Sequence, residues 1–486
     1  MKIDRFRPVL LCCSYVLLIP SVIIIFPLVF SIFENTNDDE YAFFCTGALC
    51  LILGFAGVKK FQKHLDVITS FQLYLITTSC WFLFGALGTI PFIFGLPHLS
   101  ITDAAFESFS GITTTGSTIL SDIENLPPSI LVWRGLLQWV GGIGIIVLSI
   151  AILPYLRIGG MRLFSTESSN WSGQSLPRVS QMAMSILTIY VSLSLICALL
   201  FLLFGMSPFD AAIHAMTTLS TGGYSNYDAS FGHFASKPAL LWIASLFMVL
   251  GALPFIFYVN LIRRRQTHNL IDSQIKGFIL FLIVVITLLS IERIISSNLS
   301  TFENITQVTF NVISITTTTG YASTDYTLWG QFAVMLFFYL MFVGGCSGST
   351  SGSMKFFRFQ LAYMMLKNQL KQMTYPNGVF SLKYNGQVVT DDIIRSVVAF
   401  SMFFAMAIAI IAAILSLSGL DFITSITAAI TAVTNVGPGL GEIIGPAGNF
   451  SSLPDHVKWS LSIGMLFGRL EIMTILVLLT PAIWKK

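Results

Sequence analysis

The sequence predicts an all-α integral membrane protein of ten transmembrane helices, two of them N-terminal and the rest in four pseudo-fourfold repeats of helix, re-entrant half-helix, glycine turn and helix. Composition, the spacing of the apolar runs and the fourfold recurrence of the turn predict it. Of the 486 residues 55% are hydrophobic, 42 of them Phe, and only 10% are charged, against about 25% charged in a soluble domain. A mean hydropathy of +0.80 means more apolar surface than a water-soluble core can hide, so lipid must cover the remainder. Soluble, disordered and fibrous classes are thereby excluded. A net charge of +3 gives no reason to expect nucleic acid. The seven cysteines include no Cys-x-x-Cys pair and no zinc-spaced cluster, and read as small hydrophobes.

The first apolar run, from about Val9 to Phe33, follows Lys2, Arg5 and Arg7. It is far longer than the roughly 7–15 apolar residues of a secretory signal and lacks a small-residue cleavage site, so it reads as a retained span. Runs able to cross about 30 Å of hydrocarbon lie near 9–33, 41–58, 68–96, 128–154, 180–206, 236–262, 275–297, 328–366, 393–419 and 457–484. Shorter stretches near 101–115, 208–220, 302–319 and 420–435, rich in Thr, Ser and Ala, are too short or too polar to span. With a cytoplasmic N-terminus, 21 of the 26 Lys and Arg residues fall on the inner side. Only Arg134, Lys237, Arg293 and Lys458 fall outside, with Arg469 inside a span, which puts both termini in the cytoplasm. The four short stretches then share the outer face, the pattern of re-entrant segments.

After the first two helices the same unit appears four times. Its turns read Gly111-Ile-Thr-Thr-Thr-Gly116-Ser117, Thr218-Leu-Ser-Thr-Gly222-Gly223-Tyr224, Thr316-Thr-Thr-Thr-Gly320-Tyr321 and Thr434-Asn-Val-Gly437-Pro438-Gly439. An acid opens each half-helix: Asp103, Asp210, Glu303 and Asp421, where a carboxylate suits the N-terminus. Irregular backbone inside a membrane must face protein or a watery cavity, so four such turns share one polar axis. Glycine permits the backbone angles that aim consecutive carbonyls at one point, Thr adds a hydroxyl, and the half-helices direct their partly negative ends there. The arrangement favours a bare alkali cation. Any one Thr-Thr-Gly alone is an ordinary helix C-cap; four in register form a filter of Thr114, Thr115, Gly116, Ser220, Thr221, Gly222, Thr318, Thr319, Gly320, Asn435, Val436 and Gly437. The units divide the chain into two N-terminal helices at 1–66 and pore repeats at 67–165, 166–268, 269–385 and 386–486.

These turns, with Gln138-Trp-Val-Gly-Gly-Ile-Gly-Ile145, Gly344-Gly-Cys-Ser-Gly-Ser-Thr350, Asn435-Val-Gly-Pro-Gly-Leu-Gly441 and Gly468-Arg-Leu-Glu-Ile472, resemble the Trk/Ktr/HKT superfamily of potassium transport proteins, closest to its TrkH type of membrane subunit. The resemblance covers nearly the whole chain, and the two additional N-terminal spans favour that type over the shorter Ktr form. It implies potassium as the transported ion, held at Thr114, Thr115, Thr221, Gly222, Thr318, Thr319, Asn435 and Val436, with no covalent cofactor. It also implies a homodimer in a bacterial inner membrane, one pathway per subunit, gated by a cytoplasmic nucleotide-binding ring of TrkA type. In plant members a Ser at the first filter glycine accompanies sodium permeation; glycine at 116, 222, 320 and 437 implies potassium preference. Ser117 departs from the small apolar residue expected there, which bears on the outer end of the filter.

Gly344 to Ser353 is ten small residues inside the run at 328–366. Glycines at 344, 348 and 352 have the spacing of a close helix contact, but such dense Gly and Ser favours a loop that interrupts the helix below the filter. A phosphate-binding loop is excluded because Met354 and Lys355 follow. The resemblance assigns Gly344, Gly345, Gly348, Gly352, Lys355 and Arg469 to the gate. Lys355 reads equally as a positive-inside anchor. Arg469 either has a buried acid partner such as Glu471 or presents a positive charge to the pore; the resemblance favours the second. Asp103, Glu107, Asp210, Asp228, Glu303, Asp325, Asp421 and Glu442 gather on the outer side, most of them as helix caps and loop residues. Arg263 to Arg265, Lys367, Lys371 and Lys383 form cytoplasmic basic patches suited to the ring or to anionic lipid. Lys371 to Asp392, with Pro376-Asn377-Gly378, the run Val379 to Tyr384 and Asn385-Gly386, reads as a hairpin and as the contact for a soluble partner.

The function so implied is potassium conduction through a gated filter. The alternative, secondary transport coupling potassium to protons or sodium, wants a titratable group at the midplane, for which His214 is the nearest candidate. An enzyme is not expected: His-Glu-x-x-His and Gly-x-Ser-x-Gly do not occur, and histidines at 64, 98, 214, 233, 268 and 456 make no metal site.

Overall fold

The computed structural model describes residues 6–34, 37–62, 69–152, 176–264, 272–378, 380–385 and 387–481. Both chain termini, Lys63, Arg157, Arg162, Arg265, Val379 and Gly386 lie outside the described residues. The chain is almost wholly helical, beginning with α1 (Arg7–Ile23), α2 (Ile25–Glu34), α3 (Asn37–Phe61) and α4 (Ser70–Gly95). α1 and α2 together make one 27-residue span, Arg7–Phe33, the expected first crossing. α4 starts where Thr69 and Gln72 cap each other: the Thr69 amide donates to Gln72 Oε1 at 2.8 Å and the Gln72 amide to Thr69 Oγ1 at 3.4 Å.

The rest is four successive groups, each with a long helix and a short, buried one. They are α5 (Ile101–Ile112) and α6 (Pro128–Ile152) after α4; then α7 (Leu176–Leu203), α8 (Pro208–Leu219), α9 (Pro238–Ala252) and α10 (Phe255–Arg264); then α11 (Ser273–Ser296), α12 (Thr301–Thr316), α13 (Gln331–Leu340) and α14 (Phe356–Thr374); then α15 (Asp391–Leu417), α16 (Phe422–Thr434), α17 (Asp455–Arg469) and α18 (Ile472–Leu479). The short helices α5, α8, α12 and α16 coincide with the four stretches too polar to span. Serines cap three of them, Ser100, Ser207 and Ser300, each accepting from the amide three residues on. The acids Asp103, Asp210 and Glu303 therefore sit in the first turn, and only Asp421 is itself the cap, accepting from the Thr424 amide at 3.0 Å. Bonds from Thr424 hold the Asp421 carboxyl below the usual carboxylate range.

Among the described residues six helices are long and apolar enough to cross a membrane, or eight if two sharply bent pairs count as one span each. The long helices are apolar on every side. In α15 the buried seam is Ile393, Val397, Phe400, Phe404, Ile408, Ile411 and Leu415, yet Met402, Met406 and Ile410 are just as apolar and exposed, as a lipid-facing surface requires.

Among the described residues three of the ten expected crossings are interrupted by a sharp bend or a loop. The run at 236–262 bends by 89° between α9 and α10, where Pro254 supplies no amide and pushes Leu253 out of the helical region. The run at 328–366 is α13 and α14 separated by the Gly/Ser segment, which is a loop and not a helix contact face. The run at 457–484 bends by 106°, with Glu471 at a φ of 53°, so Arg469 ends α17 rather than standing midway along a helix. The expected hairpin is shorter than its sequence run. α14 continues to Thr374, and only β1 (Lys383–Tyr384) and β2 (Gln387–Val388) pair, antiparallel, with Lys383 opposite Val388. Tyr384 Oη donates to Gln360 Oε1 of α14 at 2.8 Å, and Asn385 Nδ2 donates to Asp272 at the start of α11.

Candidate functional site

The four short helices end alike. Each closes with an amide bonded five residues back: Thr115 to Ser110 at 2.9 Å, Gly222 to Thr217 at 2.9 Å, Thr319 to Ser314 at 2.8 Å and Val436 to Thr431 at 3.2 Å. The residue before that amide is left-handed in every case, Thr114 at φ 53°, Thr221 at 51°, Thr318 at 59° and Asn435 at 55°. The residue after it is a glycine at positive φ: Gly116 at 83°, Gly223 at 78°, Gly320 at 84° and Gly437 at 110°. A left-handed threonine is strained, and three at equivalent places mark a site held by its surroundings.

In one turn the register differs from the sequence match. Sequence pairs Gly222 with Gly116, Gly320 and Gly437, but the backbone puts Gly222 level with Thr115, Thr319 and Val436 and gives the positive-φ glycine position to Gly223. Ser220 thereby falls level with Thr113 and Thr317, one residue before the turn. Two adjacent glycines make the local match ambiguous, and only the hydrogen-bond closure decides it.

The turns form a closed ring. A Cβ on Gly116 would meet the Gly222 carbonyl oxygen, one on Gly223 that of Thr319, one on Gly320 that of Val436, and one on Gly437 that of Thr115. Thus each glycine lies against the carbonyl of the next turn, and the fourth returns to the first. Asn435 Nδ2 donates to Thr115 Oγ1 at 2.9 Å and Ser117 Oγ donates to the Gly437 carbonyl at 2.7 Å, tying the fourth turn to the first. Thr114 Oγ1 and Asn435 Oδ1 are buried without a hydrogen-bond partner. Orphaned buried oxygens are costly, and a cation is the species they suit.

On the glycine side of the ring a cavity of about 260 Å³ opens, lined by Gly116, Ser117, Gly223, Tyr224, Gly320 and Gly437 among others. Its wall is braced by Arg134, which is 2% exposed. Arg134 Nε donates to Glu107 at 2.8 Å, Nη1 donates to the Ser225 carbonyl at 2.9 Å, and its guanidinium lies over the Tyr224 ring. Glu107 is therefore a buried ion-pair partner and not a charge at a mouth. Three other acids also have partners: Asp103 with Lys458 at 2.6 Å, Asp210 with Asn226 and Tyr227, and Asp228 with the Asp122 and Ile123 amides.

On the opposite side of the ring lies the loop between α13 and α14, whose Cys346, Ser349, Thr350 and Ser351 are all buried. It uses carbonyls that helix ends leave free. The Cys346 amide donates to Ala252 at 2.8 Å and the Thr350 amide to Gly251 at 3.2 Å, two carbonyls released by the break at Pro254. Thr350 Oγ1 donates to Leu219 at 3.1 Å and the Ser353 amide donates to Thr434 at 2.8 Å, the ends of α8 and α16. The loop also engages the turns themselves: Thr221 Oγ1 donates to Thr350 Oγ1 at 3.2 Å, and the Gly352 amide donates to Thr318 Oγ1 at 2.6 Å. Gly344 and Gly345 pack against Gly352 and Ala252, where a Cβ would clash, while Gly348 takes a φ of 77°. Lys355 Nζ donates to the Ser351 carbonyl within the loop.

Arg469, 3% exposed, has no acid partner among the described residues. Its Nη1 donates to the Thr350 carbonyl at 2.8 Å and its Nη2 to the Gly141 carbonyl of α6 at 3.0 Å, while Nε is unpartnered. Glu471 pairs instead with Arg358 at 3.0 Å. The guanidinium thus holds the loop from the side, a contact that no local pattern around residue 350 signals.

The family model described as TrkH, cation transport protein, matches residues 40–486. The chain is 50% identical over 482 residues to the Trk system potassium uptake protein TrkI of Halomonas elongata, covering 99% of this chain and 98% of that one. It is 38% identical over 435 residues to the Trk system potassium uptake protein TrkH of Escherichia coli, covering 87% of this chain and 88% of that one. The crystal structure of the potassium transporter TrkH from Vibrio parahaemolyticus superposes with a TM-score of 0.91 at 32% identity, covering all of both chains.

Proposed function

This chain belongs to the TrkH family of cation transport proteins, and from that premise we propose that it conducts potassium through the ring of turns, gated by the loop beneath it. It is a multi-span membrane subunit of a Trk potassium uptake system. The observation that carries the reading is the closed ring of Thr115, Gly222, Thr319 and Val436 carbonyls, each backed by a positive-φ glycine of the neighbouring turn. Such a ring replaces the hydration shell of a potassium ion, and the four short helices aim their partly negative ends at it. The loop at 341–355 and Arg469 close the path on the cytoplasmic side, where a positive charge opposes a resident cation. The chain is organised as two N-terminal helices at 1–66 and pore repeats at 67–165, 166–268, 269–385 and 386–486. Both termini are cytoplasmic in a bacterial inner membrane, and two copies work with a nucleotide-binding ring that docks at the 383–388 hairpin and its basic neighbours.

The test is flux of potassium, rubidium and sodium through purified protein in liposomes without proton or sodium gradients, with Gly116→Ser alongside. Potassium should move down its own gradient, and the variant, whose added side chain meets the Gly222 carbonyl, should lose selectivity. Flux that appears only under an imposed proton or sodium gradient would replace conduction by coupled transport.

A further inference from the structure

Three of the four ring positions carry a side chain behind the carbonyl, and one does not. In the first and third turns the side chain is a threonine braced within its own turn: Thr115 Oγ1 pairs with Thr113 Oγ1 at 2.8 Å, and Thr319 Oγ1 with Thr317 Oγ1 at 2.8 Å. In the fourth it is Val436. The second has Gly222, followed by Gly223, the most pliable pair of residues in the ring.

The space a side chain would fill at 222 is taken by another residue. A Cβ built on Gly222 would meet the amide group of Gln138, which projects from α6 and is fully buried. Gln138 Nε2 donates to the Gly222 carbonyl at 2.6 Å, and the Tyr224 amide donates to Gln138 Oε1 at 3.0 Å. One side chain therefore grips the turn on both sides of Gly223.

We propose that Gln138 is a positioning residue of the filter that stands in for the missing side chain at 222 and sets the discrimination between potassium and sodium at that level. This rests on reading the four turns as a potassium filter. Two consequences follow from the contacts. The Gly222 oxygen shares its lone pairs between a permeating ion and a protein donor, so the four oxygens of the ring are not equivalent. The second turn is also held at its ring carbonyl by a helix of the preceding unit, so its geometry depends on how those two units pack.

The experiment is the potassium-to-sodium permeability ratio of the full chain in liposomes, read from reversal potentials. Gln138→Met keeps the volume and removes both hydrogen bonds; it should lower the ratio about fivefold, the factor that one ordinary hydrogen bond carries. Gln138→Ala should lower it at least as far. In the Gln138→Ala background Gly222→Thr has room and places a hydroxyl level with those of Thr115 and Thr319, with Ser220 two residues before it as its partner in the Thr113–Thr115 and Thr317–Thr319 pattern, and should restore most of the ratio. Gly222→Thr alone should be damaging, because it meets Gln138. A selective wild type with an unchanged ratio in Gln138→Met overturns the role of Gln138, and so does a double variant no better than Gln138→Ala. A wild type that conducts both ions equally overturns the filter reading instead. The double variant restores packing volume, so it answers the question even where a single variant fails to fold.

Discussion

Two arginines carry the residue-scale argument, and their surroundings assign them opposite work. Arg134 has a buried carboxylate, a carbonyl and an aromatic face, so its charge is neutralised and its task is to hold the cavity wall. Arg134→Ala would strand Glu107 unpaired and should cost about 3–5 kcal/mol of stability, measured as a lower melting temperature in detergent; Glu107→Gln should cost less, because a hydrogen-bonding partner remains. Arg469 has two carbonyls and the face of Trp81 but no acid among the described residues, which leaves its positive charge without a counter-charge inside a span where an arginine costs ~2.5–3.5 kcal/mol on insertion scales. Charge-assisted hydrogen bonds contribute about 1.5–3 kcal/mol each, so losing the one to Thr350 is enough to shift the loop's equilibrium tenfold or more. Arg469→Ala should therefore raise resting potassium flux into liposomes about tenfold with the fold intact, and a melted protein without added flux would show Arg469 to be structural.

The decisive element is the loop between α13 and α14. Its sequence has the composition of a flexible segment, yet it is packed because broken helices beside it supply acceptors. The break at Pro254 frees the Gly251 and Ala252 carbonyls, and the ends of α8 and α16 add Leu219 and Thr434. On the proposed gating role, closure would depend on hydrogen bonds that can be exchanged one at a time, which an apolar plug would not allow. Thr350 concentrates them, with its hydroxyl shared among Leu219, Gly251 and Thr221. Thr350→Val preserves its shape and removes those bonds. It should raise flux about fivefold while leaving the potassium-to-sodium ratio unchanged, since the loop lies below the carbonyl ring; a changed ratio would mean that the loop is part of the filter.

At the scale of the whole molecule, the ring is closed by contacts between the most distant parts of the chain. Lys458 reaches Asp103, the Phe450 amide donates to the Thr118 carbonyl at 2.9 Å, and Asn435 and Ser117 join the first and fourth turns. A cation at the centre would link all four units at once, so potassium should stabilise the folded protein by mass action, roughly 2.7 kcal/mol at a hundred times its dissociation constant. Melting in potassium chloride should occur at higher temperature than in choline chloride at equal ionic strength, and equal melting would count against a shared site.

The membrane class, the long apolar helices, the four short buried ones and the glycine turns were legible in the sequence because each is written locally, in hydropathy, run length and a repeated motif. The Gly344–Ser353 loop was legible for the same reason, since ten small residues cannot sustain a helix against so much conformational freedom. The bends at Pro254 and Glu471 and the one-residue register of the second turn are local backbone events that hydropathy and motif matching do not resolve, whereas the partners of Arg469, Glu107 and Gln138 were decided by tertiary structure alone. Each depends on which backbone carbonyl or carboxylate lies across an interface tens to hundreds of residues away. Hydropathy and spacing place a residue along its own helix and relative to the membrane, but not opposite another chain segment.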